Sequence, residues 1–155
     1  MPVSDADELH LRAACAYIEL GMFNEAQAEF ERIDGSSRVL PELLASRIPL
    51  YRVSEKWDLM AIVAKKLTEW NPAEPRNFVD WADAVRRTES VHAAHAILMR
   101  AADLHPGYPT IQFNLARYEA QMGSLDRAKA YLKRATEIDP MFGMMALDDR
   151  DLKSL

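Results

Sequence analysis

A single cysteine, Cys15, stands in this chain of 155 residues, so no intrachain disulfide framework can hold the fold, which is consistent with a reducing compartment. No apolar run approaches the ~18 residues of a membrane span. The opening Met1-Pro-Val-Ser-Asp-Ala-Asp-Glu carries acids where a secretory leader would carry bases, and the expected location is the cytoplasm. Positive charge is not in excess: the formal net charge is -5 and the pI is near 5.4. That argues against non-specific phosphate binding and against nucleic acid as a partner. There is no glycine-rich phosphate loop and no nucleophile motif, and the sequence nominates no base for Cys15. His92 and His95 lack a third metal ligand and are expected to be a solvated pair. His10 is expected to be a partly buried structural histidine, and His105 part of a helix terminus. The chain is therefore expected to be no enzyme and to hold neither cofactor nor metal.

What is present is a repeat. Residues 109–142, PTIQFNLARYEAQMGSLDRAKAYLKRATEIDPMF, reproduce their pattern when shifted back by 34 residues, three times over. The copies are 7–40, 41–74, 75–108 and 109–142, without an insertion, and 143–155 remain as an expected cap. In each copy two helical patterns meet at a junction, near Gly21, Ser54, Thr88 and Gly123. The small residues Ala14, Ala26, Ala82, Ala94, Ala101, Ala116, Ala128 and Ala135 recur where paired helices must approach closely. A unit of this length cannot bury its apolar face alone, so stacked hairpins must share one core. The hydrophobic share of 49% gives room for it.

Several positions depart from the pattern. Pro49 falls inside a first helix and is expected to kink it at a cost of about 3 kcal/mol. Arg47 replaces the Ala13, Trp81 and Leu115 of the other copies, and is expected to find a carboxylate or to turn outward. Gln112 and Glu119 put polar groups at apolar places while Phe113 and Tyr118 stand one step away, so that helix is expected to rotate. Met145, Leu147, Leu152 and Leu155 are expected to cover the last hairpin, with Asp148, Asp149 and Asp151 at the N-terminus of a short helix.

These residues resemble the tetratricopeptide repeat, whose pattern runs W-x2-L-G-x2-Y, A-x3-F, P. The third copy reads Phe78-x2-Trp81-Ala82-x2-Val85, Ala94-x3-Leu98 and Pro106; the fourth carries Leu115-Ala116, Ala128-x3-Leu132 and Pro140. The resemblance implies an all-α, right-handed α-α solenoid of four helical hairpins in a single domain over 1–155, with a short C-terminal capping helix. It also implies peptide binding in a concave trough lined by the first helices. The Lys and Asn clamp that one subset of the family uses for C-terminal carboxylates is absent: from the first copy its places hold Leu11, Cys15, Ser46, Arg76 and Asp80; from the second, Ala45, Pro49, Asp80, Thr110 and Asn114.

On the trough the sequence places six arginines against five acids, relatively basic for this chain. Two readings stand: a solvated face of charges paired one repeat apart, Glu42 with Arg76 and Asp83 with Arg117, or an anion-reading trough. The candidate binding residues are Arg52, Arg76, Arg86, Arg87, Arg117, Val79, Phe113 and Asn114. Arg52 and Arg86 stand one repeat apart with no acid at the equivalent Ile18 or Ala120. The expected function is a monomeric adaptor or scaffold that takes an acidic or C-terminal segment of another protein. A small acidic chaperone like those of bacterial secretion systems, and a subunit that stacks end to end through Met144 and Met145, are the alternatives.

Overall fold

The computed structural model describes residues 3–35, 38 and 40–155, and among these every regular element is helical. Four hairpins follow one another: α1 (Asp5–Glu19) with α2 (Phe23–Glu31), α3 (Pro41–Val53) with α4 (Trp57–Trp70), α5 (Pro75–Thr88) with α6 (Val91–Leu104), and α7 (Pro109–Gln121) with α8 (Leu125–Ile138). A ninth helix, α9 (Met141–Asp148), packs on α8. Prolines open α3, α5 and α7 at the first helical position, where a missing N–H costs no helical bond. Ser4 and Ser90 cap α1 and α6, each hydroxyl accepting a backbone N–H from the first turn.

The junctions recur at one repeat position. Gly21, Glu55 and Gly123 all take the left-handed conformation, with φ of 74°, 55° and 84°, which lets the chain reverse within two residues. Glu89, the fourth member of this series, does not; its φ is -124°, and Ser90 begins α6 at once. The eight alanines of the close-approach positions are all fully buried, so enlarging any of them is an overpacking change. Around them Phe30, Met60, and Leu98 with Ile111 and Leu115 anchor core clusters that follow one another along the hairpins.

The departures resolve in specific ways. Arg47 finds neither a carboxylate nor open solvent: its guanidinium stacks over Phe30, 5.0 Å from the ring centroid, an attraction between cation and ring quadrupole. The helix α7 does not choose between its two apolar sets. Ile111, Gln112, Phe113, Leu115, Ala116, Tyr118 and Glu119 are all buried, because hairpins and the C-terminal segment cover it from several sides. Pro49 does not break its helix either. Residues Pro41–Val53 form one segment, held by Ile48 and Leu50, both buried, on either side of the proline. The missing N–H leaves the Ala45 carbonyl without its helical donor. Pro49→Ala is accordingly expected to stabilise the fold by about 2 kcal/mol, the propensity gain less the entropy returned to the unfolded chain. Thermal unfolding followed by circular dichroism should show a rise of roughly 5 °C; an unchanged midpoint would mean that the ring itself packs as well as the bond it displaces.

The cap also differs from expectation. Its helix begins at Met141, ahead of residue 143, so Asp148, Asp149 and Asp151 lie at its C-terminal end and beyond it. Leu152 and Ala146 are buried against Phe113, Ala116 and Ala135, with Phe142, Leu132 and Leu155 beside them. Met145 and Leu147, assigned to the cover by the sequence, remain exposed.

Candidate functional site

The first helices bring the trough arginines together, and the neighbouring carboxylates come with them. Arg52 on α3 reaches across to α5 and forks over two acids one turn apart. Its Nη2 donates to Asp80 Oδ1 at 2.8 Å and its Nη1 to Asp83 Oδ2 at 2.6 Å. Such two-point geometry suits the planar guanidinium. Asp83 also faces Arg86 Nη2 at 3.5 Å and Arg87 Nε at 3.8 Å, and Asp80 has Arg76 Nε at 3.9 Å. The sequence expected partners 34 residues apart; the structure uses 28 and 31. The guanidinium from the last turn of α3 thus reaches the middle of α5.

This corrects the free-cation reading of the trough. The equivalent repeat positions carry no acid for Arg52 and Arg86, yet both are paired from a different level of the ladder. Arg87 lies over the Trp57 ring, 4.2 Å from its centroid. Arg117 meets the C-terminal segment: Nη2 is 3.4 Å from Asp151 Oδ2, and Nε is 3.1 Å from Asp149 Oδ2 but off the line of a hydrogen bond. Its Nη1 donates to Asn114 Oδ1, and Gln121 donates to Asp151. The expected pairs Asp83 with Arg117 and Glu42 with Arg76 are thus replaced. Phe113, expected as an apolar contact for a ligand, is only 5% exposed and stacks edge-on against Phe142. Val79 is half-buried against the core of the third hairpin. Arg76 remains, with 69% of its side chain exposed and a single loose carboxylate neighbour.

Burial sets the protonation behaviour of this layer. Asp80 has its pKa raised above 3.8, because desolvation outweighs the stabilising charges of Arg52 and Arg76 and is joined by repulsion from Asp83. Tyr118 on α7 is pushed up to about 12, again by burial first and by the Asp83 charge second, against Arg86 and Arg117. The charges of Asp83 and Arg86 on α5 thus act on a side chain of α7.

Between α3 and α5 the trough opens into a cavity of about 540 Å³. Ile48, Pro49, Val53 and Leu67 give it an apolar lining, and Arg52, Arg76, Glu74, Asn77 and Asp80 give it a polar one. The sequence missed this cavity. Its signal is Pro49, which with Ala45 lies on its wall.

Three of the four histidines are held by protein partners, while His92 is exposed as expected. His10 Nδ1 lies 2.7 Å from Glu29, and His105 Nε2 lies 2.8 Å from the Pro72 carbonyl. His95 is not solvated as expected: its Nε2 is 2.7 Å from Glu119, a carboxylate only 2% exposed. This pair satisfies the polar group that the sequence could not place. Among the described residues no cluster of three His, Cys, Asp or Glu side chains has metal-binding geometry, and no helix is long and apolar enough to cross a membrane.

The sequence matches tetratricopeptide repeat models over residues 7–37 and 89–144, together more than half of the chain. No curated protein matches it. Among solved structures it is similar to YrrB, described as a TPR protein with an unusual peptide-binding site, at 18% identity and a TM-score of 0.76, covering 97% of this chain and 75% of that one. It is similar to MamA of MSR-1 at 22% identity and a TM-score of 0.74, covering 87% and 78%. A thermophilic TPR protein of Thermus thermophilus aligns at 20% identity and a TM-score of 0.70, covering 87% and 75%. At these identities the likeness speaks for the fold, and with the repeat matches it places this all-helical solenoid: the chain belongs to the tetratricopeptide repeat proteins.

Proposed function

We propose that this chain is a non-enzymatic interaction scaffold, cytoplasmic, that takes a short acidic or C-terminal segment of a partner protein in the trough between α3 and α5. The repeat fold supports the general role in protein–protein interaction. The cavity of about 540 Å³ carries the finer reading. An apolar side chain of the segment fits between Ile48, Pro49, Val53 and Leu67, with its carboxylate at Arg76. The Ala45 carbonyl accepts a peptide N–H. Arg52, fixed by Asp80 and Asp83, shapes the wall, and Arg86, Arg87, Arg117 and Asn114 order the adjoining trough; neither they nor the buried Phe113 is the primary grip.

A charge-assisted hydrogen bond shielded from water contributes about 1.5–3 kcal/mol, and Arg76, the loosely paired cation of the cavity, supplies it. A displayed library of free C-terminal peptides, selected on the wild type, should yield an apolar residue next to a carboxylate. Arg76→Glu should weaken the selected peptide at least about tenfold, equivalent to about 1.4 kcal/mol, with unchanged helicity because the side chain is exposed. Selection of the same peptides by wild type and variant with equal affinity would refute this site.

A further inference from the structure

The solenoid presents two unlike ends, and they complement each other. At the first end, Ala6, Leu9, Ala13, Ala16 and Leu20 form a stripe along α1 at helical spacing. Leu9 is 67% and Leu20 is 72% exposed. Shifting by whole repeats shows what this stripe is shaped for. Leu43 and Ile111 stand where Leu9 stands; Leu50, Ala84 and Tyr118 stand where Ala16 stands. All five are buried, and they share core clusters with the hairpin before them: Leu43 and Leu50 with Phe30, Ala84 with Met60, Ile111 and Tyr118 with Leu98. The stripe on α1 is the same packing surface with no hairpin against it among the described residues.

At the other end, α8, α9 and the C-terminal turn enclose a groove of about 630 Å³. Its lining is apolar, with Leu132, Ala146, Leu147, Leu152 and Leu155, and its rim carries Lys129, Lys133 and Lys153 against the single acid Glu137. Met141 and Met144 on α9 are also exposed. The first hairpin has the opposite character: residues 5–34 hold eight acids and two arginines. Asp5, Glu8 and Glu19 lie beside the stripe on α1, Glu8 paired with Arg12.

We infer that a second copy of this chain docks head to tail, the α1 stripe of one molecule against the lysine-rimmed groove between α8 and α9 of the next. This replaces the monomer expected from the sequence and is independent of the peptide reading of the trough. Apolar burial drives the contact, and the acids around the stripe meet the lysines around the groove, which fixes its polarity. Two different surfaces are used, so the contact is heterologous and each added copy leaves a new pair of ends.

The test uses the full chain and two variants at exposed positions, Leu9→Glu with Leu20→Glu at the head and Lys133→Glu with Leu147→Glu at the tail. Light scattering of the wild type over a concentration series should show the mean mass rising from 17.6 kDa to at least twice that value, less steeply as salt is raised. Each variant alone should hold the monomer mass, with helicity unchanged by circular dichroism. An equimolar mixture of the two should stop at a one-to-one complex, because only one intact pair of surfaces remains. A wild type that stays monomeric, variants that associate like the wild type, or a mixture that remains monomeric would each overturn the inference.

Discussion

Arg52→Ala is expected to cost about 2–3 kcal/mol of folding stability, among the largest effects of any substitution on the trough. Removing one member of a buried ion pair typically costs about 3–5 kcal/mol, because the charge left behind is uncompensated. Arg52 is itself partly exposed, which places the figure below that range. The two acids left behind are unequal. Asp83 keeps Arg86 and Arg87 nearby, whereas Asp80 keeps only the loose contact with Arg76. Asp80→Asn should therefore restore much of the stability of Arg52→Ala, while Asp80→Asn alone leaves Arg52 paired with Asp83 and should change stability by less than about 1 kcal/mol. Denaturant unfolding of the two single variants and the double variant measures the coupling; additive losses would show that Arg52 acts through its alkyl stem.

The pH dependence of the same variant has a definite sign. The folded-state pKa of Asp80 is raised by burial, so between the unfolded and folded values the native state binds the proton that the unfolded chain has released. Stability linked to this group is fully present below the unfolded pKa and is lost as pH rises through the folded one. Loss of Arg52 removes the largest opposing charge and widens that window upward. Acidification from about pH 7 towards about pH 5 should thus recover part of the deficit of Arg52→Ala, and this recovery should vanish in the double variant with Asp80→Asn.

The hairpins were legible because their causes are local and periodic: small residues at close approaches, proline at helix starts, and a reversal every 34 residues. Gly21 and Gly123 announced their turns, and Glu55 took the same left-handed conformation without announcing it. The trough was less legible. A side chain as long as arginine reaches past its equivalent position, from residue 52 to residues 80 and 83 where the repeat pointed to 86. A count of charges at equal repeat positions cannot contain that reach. His95 with Glu119, joining α6 to α7 at a separation of 24 residues, was hidden for the same reason. The cap was legible in part: Leu152 covers the last hairpin as assigned, but with α9 starting two residues early Ala146 turned inward and Met145 and Leu147 outward.

That cap carries the largest predicted loss. Deleting residues 149–155 removes Leu152, which is 3% exposed and packed with Phe113, Ala116, Ala135 and Ala146. Loss of a buried leucine alone costs about 2–5 kcal/mol. It also removes Asp149 and Asp151, leaving Arg117 beside Asn114 with no carboxylate from the C-terminal segment. Together these should amount to roughly 4 kcal/mol, or about 10 °C in the thermal midpoint at about 2–4 °C per kcal/mol. The damage should be local. In a solenoid each hairpin contacts mainly its neighbours, so hydrogen exchange should accelerate through α7, α8 and α9 while α1 to α4 keep the protection of the full chain. Leu152→Ala separates the two causes, since it keeps both aspartates. It should reproduce more than half of the loss; a point variant as stable as the full chain would show that the ion pairs with Arg117, and not the buried leucine, hold the C-terminal segment in place.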